Sequence, residues 1–383
     1  MKRIYFDNSS TSFPKAPGVS DAVKDMLDNG CYNINRGGYS EAYALENVVY
    51  DTREMLCRLF NFDKVSNVIF TPSITYSLNY IIKGFLRKGD HVIISSMEHN
   101  AMLRPLVQLR DEGIIEFDAA KCNQDGSLNP ENVEKLIKPN TKAVMMLHGS
   151  NVCGTLLPIK EIGEICKKHS LKFIVDTAQT AGVFPIDMKT MNIDTLCFTG
   201  HKSLRGPQGI GGFLISDEMA KETIPLIAGG TGSFSNLEEM PAQLPDRYEA
   251  GTMNLPGIVG LHAALTYLEK ENPEKILEQE IKIAKSFYDG IQEIEGVNAV
   301  GKTDFIDRAP IVSLDFTAID NAEAAFQLES EYGIMTRCGL HCAPRAHQTL
   351  NTYPQGTVRF SFSQFNTQEE VDFCLNAIKT ILK

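Results

Sequence analysis

The chain has 383 residues, with 37 basic and 48 acidic side chains and a formal net charge of −11. That balance excludes a broad surface for nucleic acid or an anionic membrane, since either needs a basic face, but it allows a local pocket for one phosphate. Hydrophobic content of 43% and charged content of 22% suit a globular protein with room for a large domain and a smaller one. No apolar run approaches the roughly 20 residues that span a bilayer. The N-terminal stretch 1–10 has no apolar h-region, so a cytoplasmic location is the expectation. Nine scattered cysteines in a chain of this length argue against a disulfide framework. Cys57, Cys153, Cys166, Cys197 and Cys374 lie in apolar or helical surroundings and read as buried free thiols.

In chain order, short apolar runs at 68–71, 91–95, 143–148, 173–176, 195–199 and 212–216 predict strands. The stretches 73–85, 101–113, 130–137 and 160–169 carry helical spacing between them. This alternation predicts a doubly wound α/β domain around a mostly parallel sheet. Beyond residue 250 the pattern changes. Helices are expected at 256–271 and 273–294, then strands and a helix at 311–316, 322–332 and 357–363, and a last helix at 368–382. Asn366 and Thr367 followed by Glu369 and Glu370 mark that helix start. A large domain over 13–256 and a smaller α+β unit over 257–383 follow from this change.

Ligands of such sheets bind outside the carboxyl ends of the strands. Thr75, His99, Asn151, Asp176, Gln179 and Lys202 all fall there. Lys202 ends Thr199-Gly200-His201-Lys202 and precedes a glycine-rich stretch at 206–212, where the backbone can approach a ligand closely. Asp176 closes the strand at 173–176. An amine for an aldehyde and a carboxylate for a ring nitrogen are what pyridoxal 5′-phosphate requires, the protonated ring serving as an electron sink. Read singly, Lys202 is equally a surface lysine beside a turn and Asp176 a helix N-cap. Gln179 can reach a phenolic oxygen. Thr75 at a strand-to-helix turn suits either a phosphate or ordinary capping, and His99 either stacks on a flat ring or is a plain loop histidine. Arg359, in an alternating strand pattern, offers a bidentate partner for a carboxylate or a structural salt bridge. Arg337, Cys338, His341 and Cys342 with His347 form the last cluster. Its Cys-x₃-Cys and His-x₅-His spacings are compressed for zinc, so no metal is expected, and a nucleophilic thiol among basic neighbours is the better reading.

Taken together, these residues make the chain resemble the class V aminotransferase-type enzymes of PLP fold type I, and within them the group II cysteine desulfurases, a branch with selenocysteine lyase-like members. The resemblance runs from Tyr5-Phe6-Asp7-Asn8 and the 33–37 stretch through Met97-Glu98-His99-Asn100, 150–155 and 175–179. It continues through Thr199–Lys202, 249–254, Arg337–Ala343, Arg359 and 365–367. It implies a fold with a seven-stranded sheet, with residues 1–12 packing on the small domain. It implies pyridoxal 5′-phosphate on Lys202 as the Schiff-base lysine, Asp176 and Gln179 on the ring, and His99 stacked on it. Thr75, Thr199 and His201 would hold the phosphate. Thr252 would reach the phosphate of a second subunit, hence a homodimer. Asn151 and Arg359 would hold the substrate carboxylate, and Cys342 would receive sulfur from L-cysteine as a persulfide; with L-selenocysteine as the substrate instead, Cys342 would matter less. A sulfur-acceptor protein or reductant would discharge it, with iron–sulfur cluster assembly one destination. Several positions depart from the common pattern. Ser9-Ser10-Thr11 stands where Ala-Ala-Thr is frequent, Asn35 where a histidine precedes the N-terminal arginine, and Leu340 before His341 where a histidine pair is frequent. Cys338 is an addition, and with Arg337 and His341 an expected auxiliary of the loop. The competing readings are selenocysteine lyase, another class V transamination or lyase step, and a non-enzymatic redox or metal-binding protein built on Cys338 and Cys342.

Overall fold

The structure, a computed structural model, describes residues 3–30, 32–34 and 38–383. Strand β1 (Ile4–Tyr5) and helices α1 (Val19–Asn29) and α2 (Ser40–Leu59) come first. The alternating part then runs β2 (Val68–Thr71), α3 (Ile74–Phe85), β3 (Asp90–Ser95), α4 (Asn100–Asp111), β4 (Ile115–Ala120), α5 (Glu131–Glu134), β5 (Thr141–Leu147), α6 (Ile159–Lys168), β6 (Lys172–Asp176), β7 (Thr195–Thr199), β8 (Gly211–Ile215) and α7 (Asp217–Glu222). These strands form one seven-stranded sheet in the order β2-β8-β7-β6-β5-β3-β4. It is parallel except at β8, which is antiparallel to both its neighbours. Alternate residues feed two cores. Val144 and Met146 of β5 join one cluster, while Ala143 and Met145 join the cluster on the other face, as a sheet covered on both sides requires.

The six strands expected in this part are present, each with ends within two residues of the reading. β4 was not expected. Its Glu116 and Asp118 interrupt the apolar pattern because it is the edge strand beyond β3. The helix expected over 130–137 is one turn, Glu131–Glu134, and Pro139 then biases the chain away from helix.

Helices α8 (Leu255–Glu271) and α9 (Pro273–Ile291) lead into β9 (Val297–Val300), β10 (Ile311–Phe316), α10 (Asn321–Tyr332), β11 (Ile334–Met335), β12 (Arg337–Gly339), α11 (Pro344–Thr349), β13 (Thr357–Ser361) and α12 (Gln368–Ile381). Thr367 and Glu370 close a capping box on α12. The second sheet is antiparallel, in the order β12-β13-β10-β9. Its core gathers Phe287, Val312, Leu314, Val358, Phe360 and Phe362 with Ile4 and Phe6 from the chain start; β1 pairs in parallel with β11. Helix α8 packs on α1 and α2 and adds Leu255, Ile258, Leu261, Leu265 and Leu268 to the large sheet's core. We therefore propose the domain division between α8 and α9 rather than at 256. No helix among the described residues is long and apolar enough to cross a membrane.

Candidate active site

The carboxyl ends of the parallel strands carry the expected residues. Asp176 is the last residue of β6, buried, and its Oδ1 accepts the Ala178 N–H at 2.8 Å. Burial pushes its carboxyl up, while the Ala178 N–H and the charge of Lys202 pull it down. Lys202 follows β7, and burial lowers its amine to about 8 against the opposing pull of Asp176. His99 caps α4, its Nδ1 accepting the Ala101 N–H at 3.0 Å, which leaves the proton on Nε2. Burial, then the positive charges of Lys202, Arg337, Arg359 and Arg104, push His99 down to about 3, so the ring is neutral. Gln179 is buried and donates through Nε2 to the Ser9 carbonyl at 3.1 Å.

Beside them lies a set of donors without protein partners. Thr199 Oγ1 and His201 Nδ1 are buried and unpartnered, and burial holds the His201 ring neutral by lowering it to about 4. Ser73, the N-cap of α3, makes no capping bond, so the first-turn N–H groups around the exposed Thr75 lack a side-chain cap. Gly211 lets β8 approach this helix start, since a Cβ there would lie 3.1 Å from the Ile74 nitrogen. Open N–H groups at a helix start, with hydroxyl and imidazole beside a lysine, are a phosphate's donor set. Thr252 is exposed in the turn before α8 and lines a cavity with Thr71, Tyr76 and Met253. That turn is tied to β2, because Glu249 accepts the Phe70 N–H at 2.7 Å and pairs with the buried Arg53 at 2.8 Å.

The small sheet brings the other half. Arg359 on β13 is 1% exposed. It donates to the Asn151 carbonyl at 2.9 Å, and to Asp7 Oδ1 and Ser10 Oγ, both at 2.8 Å. Its Nε and the Oδ1 of Asn151 are buried without partners. Asn151 Nδ2 donates to the His341 carbonyl at 2.7 Å. Arg337 lies directly across from Arg359 in the β12–β13 register and donates to Ser10 Oγ at 3.1 Å and to Cys342 Sγ at 3.7 Å. Cys342 is exposed. It and His341 both take left-handed backbone angles, φ 57 and φ 47, and the Asn100 N–H donates to the Cys342 carbonyl at 2.8 Å. The loop is thereby pinned to the start of α4, one residue beyond His99. His341 is buried against Thr357 (Nε2 to Oγ1, 3.1 Å), and burial drives it down to about 2.

Alternation along β12 turns Cys338 to the face opposite Arg337, where it packs on the small-domain core and burial raises its thiol. Asn35 lies outside the described residues. Among the described residues no three His, Cys, Asp or Glu side chains gather as metal ligands would.

Sequence reasoning assigned no role to Asp7, Ser10, Lys15 or Glu98. Lys15 Nζ donates to the His201 carbonyl at 3.2 Å, which also accepts the Ser12 N–H at 2.8 Å. Glu98 is fully buried, takes the Leu147 N–H on Oε2 at 3.0 Å and the Ser95 hydroxyl and N–H on Oε1, and burial pushes it up to about 8. A charged residue three positions past an apolar strand was the available signal for Glu98. Ser10 stood out only as a departure from a common pattern.

The family model for Aminotransferase class-V matches residues 4–373. A probable cysteine desulfurase of Borreliella burgdorferi is 32% identical, covering 99% of this chain and 92% of its own length. One of Pyrococcus abyssi is also 32% identical, covering 99% and 94%. Among solved structures, the apo cysteine desulfurase of Thermococcus onnurineus superposes with a TM-score of 0.92 at 30% identity, covering 99% of this chain and 94% of the other. A cysteine desulfurase of Escherichia coli in an S-sulfonic acid form gives 0.88 at 26% identity, with the same coverage.

Proposed function

The chain belongs to the class-V aminotransferase family, and we propose that it works there as a cysteine desulfurase, converting L-cysteine to L-alanine with sulfur passed to Cys342. One observation carries this reading: the exposed Cys342 is pinned by the Asn100 N–H one residue beyond His99, with Arg337 at its sulfur, and the His99 ring feels the charges of both Lys202 and Arg337.

The residues present suit pyridoxal 5′-phosphate. Thr199, His201, Thr75 and the open start of α3 would hold the phosphate, Asp176 the ring nitrogen, Gln179 the phenolic oxygen and His99 the ring face, with Lys202 as the attachment point. Bound there, the group supplies an electron sink for the pair released when the substrate Cα–H bond breaks. Asp176 is the carboxylate that would keep a ring nitrogen protonated. Lys202, lowered to about 8, is in part neutral near pH 7 and takes the Cα proton on Nζ. The unpartnered Nε of Arg359 and Oδ1 of Asn151 orient the substrate carboxylate and amine side of the site. Cys342 Sγ attacks the substrate sulfur: an S–S bond forms, the C–S bond breaks with its electron pair left on carbon, and that carbon takes a proton. The balance is cysteine plus thiol giving alanine plus persulfide.

The working unit we propose is a homodimer, in which the exposed Thr252 serves the phosphate of the second copy. The persulfide passes to a sulfur-acceptor protein or a reductant, and iron–sulfur cluster assembly is one use for it. The deciding experiment assays Cys342→Ser for alanine and sulfide from L-cysteine. Turnover should vanish while the visible absorbance of lysine-bound cofactor persists, and undiminished turnover would sink the assignment. L-selenocysteine as substrate in the same assay separates the lyase reading, in which the variant stays active.

A further inference from the structure

The mechanism above leaves one side chain unused at the centre of the arginine pair. Ser10 Oγ donates to Asp7 Oδ1 at 2.8 Å and accepts from Arg359 at 2.8 Å and Arg337 at 3.1 Å. One hydroxyl thus spends its only proton and both lone pairs. Arg337 and Arg359 face each other directly across β12 and β13, an arrangement in which like charges repel. Asp7 pairs with Arg359, which is almost fully buried. For Arg337 the only side-chain oxygen partner described is Ser10, and its other terminal nitrogen is the one that reaches Cys342 Sγ at 3.7 Å.

Resting on the desulfurase reading, we propose that Ser10 is a positioning residue for the sulfur-receiving thiol: its hydroxyl fixes Arg337 so that the free end of the guanidinium meets Cys342 Sγ. A guanidinium N–H at the sulfur holds it in one direction for attack, and a long arginine holds one direction only if something restrains it. Ser10 supplies the restraint from a segment that also grips the lysine turn, since Ser12 and Lys15 both donate to the His201 carbonyl.

The test is the alkylation rate of Cys342 by iodoacetamide at one neutral pH in the cofactor-loaded enzyme, read by mass spectrometry of the loop peptide. Ser10→Ala should slow alkylation about fivefold, the size of one net hydrogen bond, and Ser10→Thr should restore the wild-type rate. Arg337→Gln should slow it at least as much, and Ser10→Ala added to Arg337→Gln should slow it no further. A wild-type rate in Ser10→Ala, or an equal further loss in the Arg337→Gln background, overturns the proposal. Because alkylation needs no turnover, an enzyme that fails to make alanine from cysteine refutes the desulfurase reading without touching this result.

Discussion

Glu98 offers a pH-dependent prediction whose size follows from its surroundings. Its carboxyl is fully buried between the ends of β3 and β5, and burial raises it from 4.5 to about 8. Between those values the folded protein keeps a proton that the unfolded chain has released, so stability falls as pH rises. Below about 4.5 both states are protonated and nothing is lost. At 1.36 kcal/mol per pH unit, the loss is about 1 kcal/mol at pH 5, roughly 3 at pH 7 and about 4 at pH 8. Glu98→Gln keeps an oxygen for the Ser95 and Leu147 donors and cannot ionise, so it should be more stable than wild type by those amounts. Over 383 residues the unfolding entropy is about 0.8 kcal/mol per degree. The expected gain in Tm is therefore about 1 °C at pH 5 and about 5 °C at pH 8. Calorimetry of cofactor-stripped wild type and variant at the two pH values makes the measurement, and the other titrations cancel in the difference. A gap independent of pH, or a less stable variant at pH 8, would refute the reasoning.

A buried ion pair behaves asymmetrically. Arg205, three residues after Lys202, is bound to Glu280 of α9 with both side chains buried. Glu280→Ala strands a guanidinium that cannot deprotonate and should cost about 3–5 kcal/mol, whereas Arg205→Ala leaves a carboxyl that burial already pushes up and that can protonate, so its loss should be smaller and shrink at low pH. Urea unfolding of both variants at pH 6 and 8 checks this, and equal losses at both pH values would count against it. For Cys338, whose side chain packs on the small-domain core, turnover with cysteine should leave added sulfur on Cys342 alone; a Cys338–Cys342 disulfide in the loop peptide would contradict the placement.

The parallel sheet was readable because its strands are buried on both faces and so form short unbroken apolar runs; β4 escaped because an edge strand carries Glu116 and Asp118. Asp176 and Lys202 were readable for a related reason, since position at a strand's carboxyl end is fixed once the strand is. The contacts that hold the loop were not. Ser10 meets Arg337 across 327 positions, and Asn151 meets the His341 carbonyl across 190. Periodicity carries no information at such separations. Each partner taken alone is an ordinary polar residue. Arg359 shows the same limit from another side: a strand arginine was legible, but its bonds to Asp7 and to the Asn151 carbonyl depend on where the chain start packs.

On the proposed function, that packing explains how Cys342, 140 positions from Lys202, acts with it. The segment from Asp7 to Lys15 touches both halves at once. Its first residues bind Arg359 and, through Ser10, Arg337 on the small sheet; its last donate to the carbonyl just before Lys202. The loop is then fastened a second time, by Asn100 and Asn151 of the large domain, through the backbone carbonyls of Cys342 and His341. Carbonyl bonds of this kind fix the path of the chain while leaving the Cys342 side chain exposed. In the proposed reaction the thiol collects sulfur inside the site and surrenders it outside, which needs both properties, and the two left-handed residues His341 and Cys342 are where the chain turns to provide them.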